Sequence, residues 1–258
     1  MKRILAGRTI IVTRPVEQAE PLVRALERRG ARVLIAPTIR IVPARSAALT
    51  AALKELADGR FEWITLTSRA TVDVLRDRLV SPRGVRAKVA VIGDGTAEAF
   101  RRWTRRDPDL QPSTFTTSAL ARALPRGRGR VLCARADIAP AGLEAALARK
   151  GWEPERVDAY RTVFATSLPR EARDALRSGD VDAVTFTSAS TVRGFVSARG
   201  PEATTGPAGG PPKVVCIGPV TAAAARDAGL RPKAVARPHS LDGLVDAVER
   251  ALASTGSR

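Results

Sequence analysis

The sequence predicts an α/β fold of two similar domains, each a parallel sheet flanked by helices. The first observation behind this prediction is an internal repeat, in which four short phrases return in the same order about 120 residues later. The second is that each phrase joins an apolar, β-branched run to an amphipathic stretch, which indicates alternating strands and helices. Only two copies of this long unit occur, so a solenoid of short repeats is excluded. Two such units are expected to form a cleft.

The repeated phrases begin with strands that are hydrophobic throughout. The pairs are 8–14 with 130–135, 63–68 with 182–188, 88–97 with 213–222 and, more weakly, 117–120 with 239–244. Runs such as Val89–Ile92 and Val214–Ile217 do not alternate with polar residues. Parallel strands that are buried on both faces have this pattern.

The first elements of each copy follow the order strand, helix, strand. Residues 9–12 are predicted to form a strand, apolar positions in 19–26 then fall at helical spacing, and Gly30 ends the helix. Residues 33–36 form the next predicted strand. The second copy repeats this order between residues 131 and 159.

Two extended segments follow the second strand of each copy. Residues 37–43 alternate apolar and polar side chains between two prolines, and residues 160–164 occupy the matching point of the second copy. Paired as an antiparallel connector, they would let the chain begin one domain, build the other and return to complete the first. Tandem domains divided near residues 126–130 would fit the repeat equally well.

Length and composition are typical of a globular protein of two domains. The chain has 258 residues and is 44% hydrophobic. No apolar run approaches the roughly 18 residues of a membrane span, and the N-terminus lacks the uninterrupted core of a secretory signal, so we expect a cytoplasmic protein. Cys133 and Cys216 each lie inside an apolar strand phrase, which predicts two buried free thiols.

The net charge of +17 has two interpretations. It favours an anionic partner, but the arginine runs at 101–106 and 126–130 also fit the solvated faces of helices and loops. Nucleic acid is not expected, because one Tyr, three Trp and six Phe provide no stacking platform and no nucleic-acid-binding motif is present. The Gly- and Pro-rich segment 199–212 is predicted to be a surface loop, and the tail 254–258 is predicted to be disordered.

Hydroxyl residues and glycines recur where the predicted strands end and helices begin. Ligands of open parallel sheets collect at the carboxyl ends of the strands. Side chains at these positions can cap a helix or, together with its free N–H groups, receive a carboxylate. The candidate binding residues are Thr67, Ser68, Gly93, Thr96, Thr187, Ser188, Gly218 and Thr221. Their occurrence in matching positions of both copies favours carboxylate binding beyond capping alone.

Several kinds of chemistry have no support in the sequence. It has no phosphate-binding GxxxxGK[ST] loop, and residues 93–95 lack the remaining glycine of a dinucleotide fingerprint. His239 is the only histidine, so catalysis by a Ser–His or Cys–His pair would depend wholly on it. No metal site is expected. Any reaction must therefore need little from strong acids or bases.

The ordered set of phrases resembles the uroporphyrinogen-III synthase family. The resemblance extends from about residue 8 to residue 250. It is carried by residues 12–15, Pro37, 66–68, 91–97, 159–162, 186–188, 216–222, Ser240 and Leu244. The order of the phrases is more specific than any one of them.

The resemblance implies a HemD-like architecture in which a two-stranded antiparallel connector joins the two domains. The first domain would be discontinuous, formed by residues 1–36 and 168–258. The second would span 45–156, with connector strands at 37–44 and 157–167.

The resemblance also implies a reaction and a partner. A lyase of this family closes the linear tetrapyrrole hydroxymethylbilane into uroporphyrinogen III, with inversion of the D ring and loss of water, as a step of heme biosynthesis. No cofactor or metal is expected, and the protein would act as a monomer on this small molecule, without nucleic acid or membrane. Such a reaction depends on positioning more than on acid–base strength. The alternative is a non-catalytic two-domain sensor or binding protein for a small polyanion or tetrapyrrole.

The resemblance assigns roles to particular residues. Tyr160, the only tyrosine, matches a family tyrosine near the cleft and is the candidate donor of a proton to the departing hydroxyl. Its alternative role is packing between the domains. Thr96 and Thr221 match family threonines. Arg14 and Ser240 complete the predicted binding set, although Arg14 also fits a role in tying its loop together.

Overall fold

The computed structural model describes residues 4–199 and 210–253. Contacts divide the chain into two compact units, of which the first joins Met1–Arg40 to Val163–Arg258 and the second is Ile41–Thr162. The predicted α/β fold is confirmed. The alternative boundary near residues 126–130 lies inside the second unit. Most of the predicted 199–212 loop and all of the predicted disordered tail lie outside the described residues.

Strands and helices alternate along most of the chain. The strands are β1 (Thr9–Val12), β2 (Arg32–Ile35), β3 (Ile39–Pro43), β4 (Trp63–Leu66), β5 (Lys88–Val91), β6 (Arg130–Ala136), β7 (Glu153–Phe164), β8 (Ala183–Phe186), β9 (Lys213–Cys216) and β10 (Pro232–Val235). The helices are α1 (Val16–Arg28), α2 (Ala47–Ala57), α3 (Arg69–Arg78), α4 (Asp94–Thr104), α5 (Thr117–Ala123), α6 (Gly142–Ala148), α7 (Arg170–Ser178), α8 (Ala189–Ala198), α9 (Pro219–Asp227) and α10 (Leu241–Ala253). Among the described residues, no helix is long and apolar enough to cross a bilayer.

The two units share one sheet topology. The first has the strand order β10-β9-β8-β1-β2, with all four neighbouring pairs parallel. The second has the order β3-β7-β6-β4-β5. Three strands of the first unit therefore have counterparts in the second: β8 corresponds to β4, β9 to β5 and β1 to β6. These strands carry the repeated phrases, and a parallel bridge between Ala90 and Leu110 takes the place of β10.

The predicted connector strands lie side by side, as β3 and β7. Ala44 N donates to Ala159 O at 2.9 Å, and Ala165 N donates to Thr38 O at 3.0 Å. Residue numbers rise on one strand as they fall on the other, so the pair is antiparallel. The strands do not form a separate ribbon, because β7 also pairs in parallel with β6. The second sheet is consequently mixed, whereas the sequence predicted a parallel one.

Each unit buries two hydrophobic clusters. In the first unit one cluster includes Leu22 and Leu244, and the other includes Phe186. In the second, one cluster includes Phe100 and the other is built around Trp63. Each sheet is therefore covered by apolar side chains on both faces, as its uninterrupted hydrophobic strands predict.

Both cysteines are buried and free, as the sequence predicts. Burial raises the pKa of Cys133 to about 11 and that of Cys216 to about 12. Both groups stay protonated at neutral pH, and a thiol is a poor nucleophile in that form. Neither is suited to covalent catalysis.

Some of the arginines in the predicted solvated runs form ion pairs at the surface. Arg101 bonds Asp107 at 2.6 Å, and Arg102 pairs with Glu98. Arg130 pairs with Glu55 and Glu155 and lies over the ring of Phe61. These arginines of the predicted solvated runs therefore contribute to local structure.

Gly194 allows α8 to pack tightly against the chain that leads into β3. A Cβ atom at this position would lie 2.2 Å from the carbonyl oxygen of Thr38. The Thr38 hydroxyl also donates to the carbonyl oxygen of Thr191 at 2.9 Å, which ties the same two segments together. A rigid backbone atom cannot yield to the added methyl group.

We expect Gly194→Ala to lower the free energy of unfolding by about 1–3 kcal/mol, the usual effect of overpacking a tight contact. Urea denaturation followed by circular dichroism measures this change. Gly142→Ala is the matched control, because a Cβ at Gly142, also in a helix, meets no atom within 4 Å. Equal stability of the two variants would contradict the tight contact.

Candidate functional site

The carboxyl ends of the parallel strands form the candidate site of each unit. In the first unit the direction of chain progression reverses between β1 and β8, and in the second between β6 and β4. Such topological switch points are where open α/β sheets bind ligands. Arg14 follows β1, and Thr187 and Ser188 follow β8. Thr67 and Ser68 follow β4 in the second unit.

Tyr160 lies at the switch point of the second unit. It pairs in register with Ala136, the last residue of β6, and its side chain is 7% exposed. Its phenol oxygen is 2.9 Å from Ser68 Oγ, close enough for a hydrogen bond. The structure thus brings together two of the predicted residues, the candidate proton donor and a candidate binding residue.

Ser68 also caps α3. Its Oγ accepts from Thr71 N at 3.2 Å and lies 3.1 Å from Thr71 Oγ1. Thr71 Oγ1 in turn donates to the carbonyl oxygen of Ala134 at 3.4 Å. The phenol of Tyr160 therefore stands at the end of a chain of hydroxyl groups anchored to β6. This chain holds the oxygen of Tyr160 at the N-terminus of a helix.

The surroundings of Tyr160 favour its protonated form. Burial is the main cause that raises its pKa above the ordinary value, and the charge of Asp137 raises it further. The hydrogen bond with Ser68 and the charge of Arg135 lower the pKa, but the net change is upward. At neutral pH the phenol therefore retains its proton and can donate it.

The first unit repeats the serine cap without the phenol. Ser188 Oγ accepts from Thr191 N at 3.2 Å at the start of α8, and it lies 2.9 Å from Ser190 Oγ. Since the chain has a single tyrosine, no second phenol can stand beside this cap. The repeat therefore conserves the helix cap, while the candidate donor belongs to the second unit alone.

Gly93 and Gly218 are the N-caps of α4 and α9. Neither residue has a side chain that could bond the first N–H groups of its helix. Thr96 and Thr221, three residues further on, are both buried. Helix N-termini without a side-chain cap are suited to bind an anion. This local geometry supports the predicted role of the four residues, which stays a prediction.

The remaining predicted residues have local structural contacts. Ser240 accepts from Gly243 N at 3.1 Å and so caps α10. Arg14 is buried and donates to Gln18 Oε1 at 3.4 Å. Thr67 and Thr187 are half-buried and directly precede the capping serines. Capping is therefore observed for Ser68, Ser188 and Ser240, and substrate binding by the set stays a prediction.

Arg135 is the counterpart of Arg14 that the sequence comparison did not single out. Ile10 pairs with Ala183 and Val131 with Trp63, and this register makes Arg135 equivalent to Arg14. Arg135 is 3% exposed and forms an ion pair with Glu144 at 3.0 Å. The internal repeat could have indicated this match, because both copies of its first phrase end in arginine.

A groove of about 880 Å³ runs beside β3 and β7 in the second unit. Arg45, Arg156 and Arg161 line it together with Asp137 and Asp158. Arg156 lies 3.6 Å from Asp158, whereas Arg45 and Arg161 have no ion-pair partner within the described part of the chain. Sequence reasoning missed this groove, because its lining comes from segments about 100 residues apart.

No group of three or more His, Cys, Asp or Glu side chains that could hold a metal ion occurs among residues 4–199 and 210–253.

Comparison with known families shows what the chain is related to. The family model described as uroporphyrinogen-III synthase HemD matches residues 20–246. The chain belongs to the uroporphyrinogen-III synthase family. The resemblance found in the sequence is thus confirmed.

Three relatives carry names that agree with this family. The chain is 29% identical to the uroporphyrinogen-III synthase of Synechococcus elongatus over 95% of this chain and 96% of that protein. It is 34% identical to a putative uroporphyrinogen-III synthase of Methanothermobacter thermautotrophicus, covering 73% and 77% of the two chains. A porphyrin biosynthesis protein of Ruminiclostridium josui is 30% identical over 95% of this chain, which spans about half, 49%, of that longer protein.

Solved structures of the family share the fold. A mutant uroporphyrinogen III synthase from Thermus thermophilus superposes with a TM-score of 0.68 at 22% identity, covering 96% of this chain and 99% of that one. The synthetase of Helicobacter pylori gives a TM-score of 0.58 at 15% identity, with 93% and 97% covered. At these identities the likeness supports the fold alone.

We expect Ser68→Ala to raise the pKa of Tyr160 further, because the hydrogen bond that lowers it is lost. Tyrosinate absorbance at 295 nm reports this residue alone, and its rise should move to higher pH. Loss of the cap should also cost about 1 kcal/mol of stability. Ser188→Ala is the matched control, since it removes the equivalent cap of α8 without touching Tyr160. An identical tyrosine titration in the two variants would contradict the Ser68–Tyr160 bond.

Proposed function

We propose that the protein is a uroporphyrinogen-III synthase that closes hydroxymethylbilane into uroporphyrinogen III, inverts the D ring and releases water. As a cyclising hydro-lyase it would serve heme biosynthesis. Family membership and the full-length match to a cyanobacterial uroporphyrinogen-III synthase support this function. The observation that carries the mechanism is the buried, protonated phenol of Tyr160 beside Ser68.

The first step that we propose is loss of the hydroxyl group. Tyr160 gives its proton to the hydroxyl oxygen as the carbon–oxygen bond breaks, so that water leaves and an azafulvene forms. Because this ionisation is intrinsically easy, one positioned donor is sufficient. Ser68 assists by bonding the phenolate oxygen that Tyr160 leaves behind.

Ring closure follows by attack of the last pyrrole on the azafulvene carbon. Attack through the carbon that already bears the bridge gives a spiro intermediate. The original bond between that carbon and the bridge from ring C then breaks, and the freed bridge carbon bonds the unsubstituted α-carbon of ring D, which leaves the D ring inverted. The proton lost from the last pyrrole restores the phenol of Tyr160, so the net change is release of one water. Selection between the two attacking carbons is a matter of orientation, which requires a shaped site more than a strong base.

The substrate carries eight carboxylates, and the residues proposed to bind them are of the types that recognise anions. The N-termini of α4 and α9, at Gly93 and Gly218, are not capped by a side chain. Arg14 adds a permanent cation. Hydroxyl groups at matching strand ends complete the set, namely Thr67, Ser68, Thr96, Thr187, Ser188, Thr221 and Ser240. A net charge of +17 favours capture of such a polyanion.

Cytoplasmic location, the monomeric state and the absence of a nucleic-acid partner stay predictions from the sequence. The alternative of a non-catalytic tetrapyrrole sensor makes a different prediction for turnover. A sensor would bind the linear tetrapyrrole without changing which isomer forms.

The decisive experiment supplies hydroxymethylbilane to the purified protein, oxidises the products and separates the porphyrin isomers by chromatography. We expect mainly the type III isomer, because the site directs the attacking carbon. Samples without protein provide the spontaneous type I product for comparison. Formation of type I alone in the presence of folded protein would exclude synthase activity.

We expect Tyr160→Phe to lower kcat by about 10- to 100-fold while the fold is kept, since the variant loses only the donated proton and one hydrogen bond. Initial rates of type III formation measure the effect, and circular dichroism checks the fold. Thr65→Val is the control, because it removes another buried hydroxyl of the same sheet, which bonds Leu132 O at 3.5 Å. An unchanged kcat would remove Tyr160 from the mechanism.

A further inference from the structure

Strand β7 carries a bulge immediately before Tyr160. Its pairing with β6 shifts between Arg135, which is opposite Asp158, and Ala136, which is opposite Tyr160. Ala159 is therefore an extra residue on β7. Bulges near functional sites re-aim a side chain and interrupt the ladder. Since β6 ends at Ala136, the backbone of β7 beyond Tyr160 needs partners from elsewhere.

Asp137 supplies these partners. Its N–H donates to the carbonyl oxygen of Tyr160 at 3.0 Å, and its Oδ1 accepts from Thr162 N at 3.0 Å. The same Oδ1 accepts from Ile138 N at 2.9 Å, which fixes the orientation of the carboxylate. One residue thus continues the ladder along β7 from Tyr160 to Thr162.

The loop that carries Asp137 is itself anchored at both ends. Arg156 donates to the carbonyl oxygens of Ala136, Asp137 and Ala139 at distances of 2.8–3.2 Å. Arg135 donates to the carbonyl oxygen of Pro140 at 2.7 Å. Two arginines therefore hold four carbonyl groups of one short connection. This rigidity is what a residue needs if it is to fix the position of another.

We propose that Asp137 is a positioning residue for Tyr160, which holds β7 directly after the bulge, at Tyr160 and Thr162, so that the phenol meets Ser68. The role of this placement in turnover rests on the proposed function. Asp137 is not among the residues that the sequence singled out.

Three neighbouring groups shift the pKa of the Tyr160 phenol, and each belongs to a different segment packed around it. Ser68 bonds it from the start of α3, Arg135 acts from the end of β6, and Asp137 acts from the loop that follows. The charge of Asp137 raises the pKa of Tyr160, so its removal should lower that pKa. Because the chain has one tyrosine, absorbance at 295 nm follows this single group.

The test compares Asp137→Asn, which keeps an oxygen acceptor and loses the charge, with Asp137→Ala, which loses both. Asp107→Asn is the matched control, because Asp107 lies in the same unit with its side chain 82% exposed. We expect tyrosinate to appear at lower pH in both Asp137 variants and at the wild-type pH in the control. Amide exchange of Thr162 should stay slow in Asp137→Asn and become faster in Asp137→Ala.

Turnover provides the second readout. We expect Asp137→Ala to lower kcat about 10-fold or more with little change in KM, because the donor is displaced while the binding groups remain. Asp137→Asn should restore most of the rate. The proposal would be overturned if kcat fell equally in the two variants, or if kcat were unchanged in Asp137→Ala.

If Asp137→Ala does not fold, the tyrosine titration of Asp137→Asn still tests the proposal. An Asp137→Asn protein whose tyrosine titrates as in the wild type would overturn the placement of Asp137 beside the phenol. Titration and amide exchange need no substrate. They therefore still test this inference if the protein forms only the type I isomer, the result that would reject the proposed function itself.

Discussion

Parallel pairing is the constraint on which the rest of the structure depends. It brings the carboxyl ends of neighbouring strands, and the helix N-termini that follow, to one edge of each sheet. Hydroxyl side chains and uncapped N–H groups collect at that edge as a consequence. The proposed reaction needs such a surface, because the proposed substrate is a flexible polyanion and the outcome depends on its orientation.

The two units show how a repeat can provide a scaffold while only one copy carries a reactive group. Ser68 and Ser188 cap equivalent helices, and each also lies near a second hydroxyl. Only Ser68 meets a phenol, because the bulged strand β7 delivers Tyr160 to the end of β6. The mixed sheet of the second unit has a related origin, since the connector strand β3 pairs with the same strand.

Much of this could be predicted from the chain itself. Continuous hydrophobic runs indicated buried parallel strands, and the order of repeated phrases matched β1 to β6, β4 to β8 and β5 to β9. Glycine and serine at strand ends marked the helix N-termini, and the single tyrosine was an evident candidate. The contact of Tyr160 with Ser68 could not be predicted, because the residues are 92 positions apart and a register shift of one residue decides it.

The sequence by itself determined the fold class, the duplication and the chemical types gathered at the strand ends, since these follow from hydrophobic period and local turn chemistry. Tertiary structure alone decided the surroundings of each group. The burial that keeps Tyr160 protonated and the contacts of Asp137 along β7 both arise from strand register. Register is set by packing across the whole sheet, and no short segment of the chain encodes it.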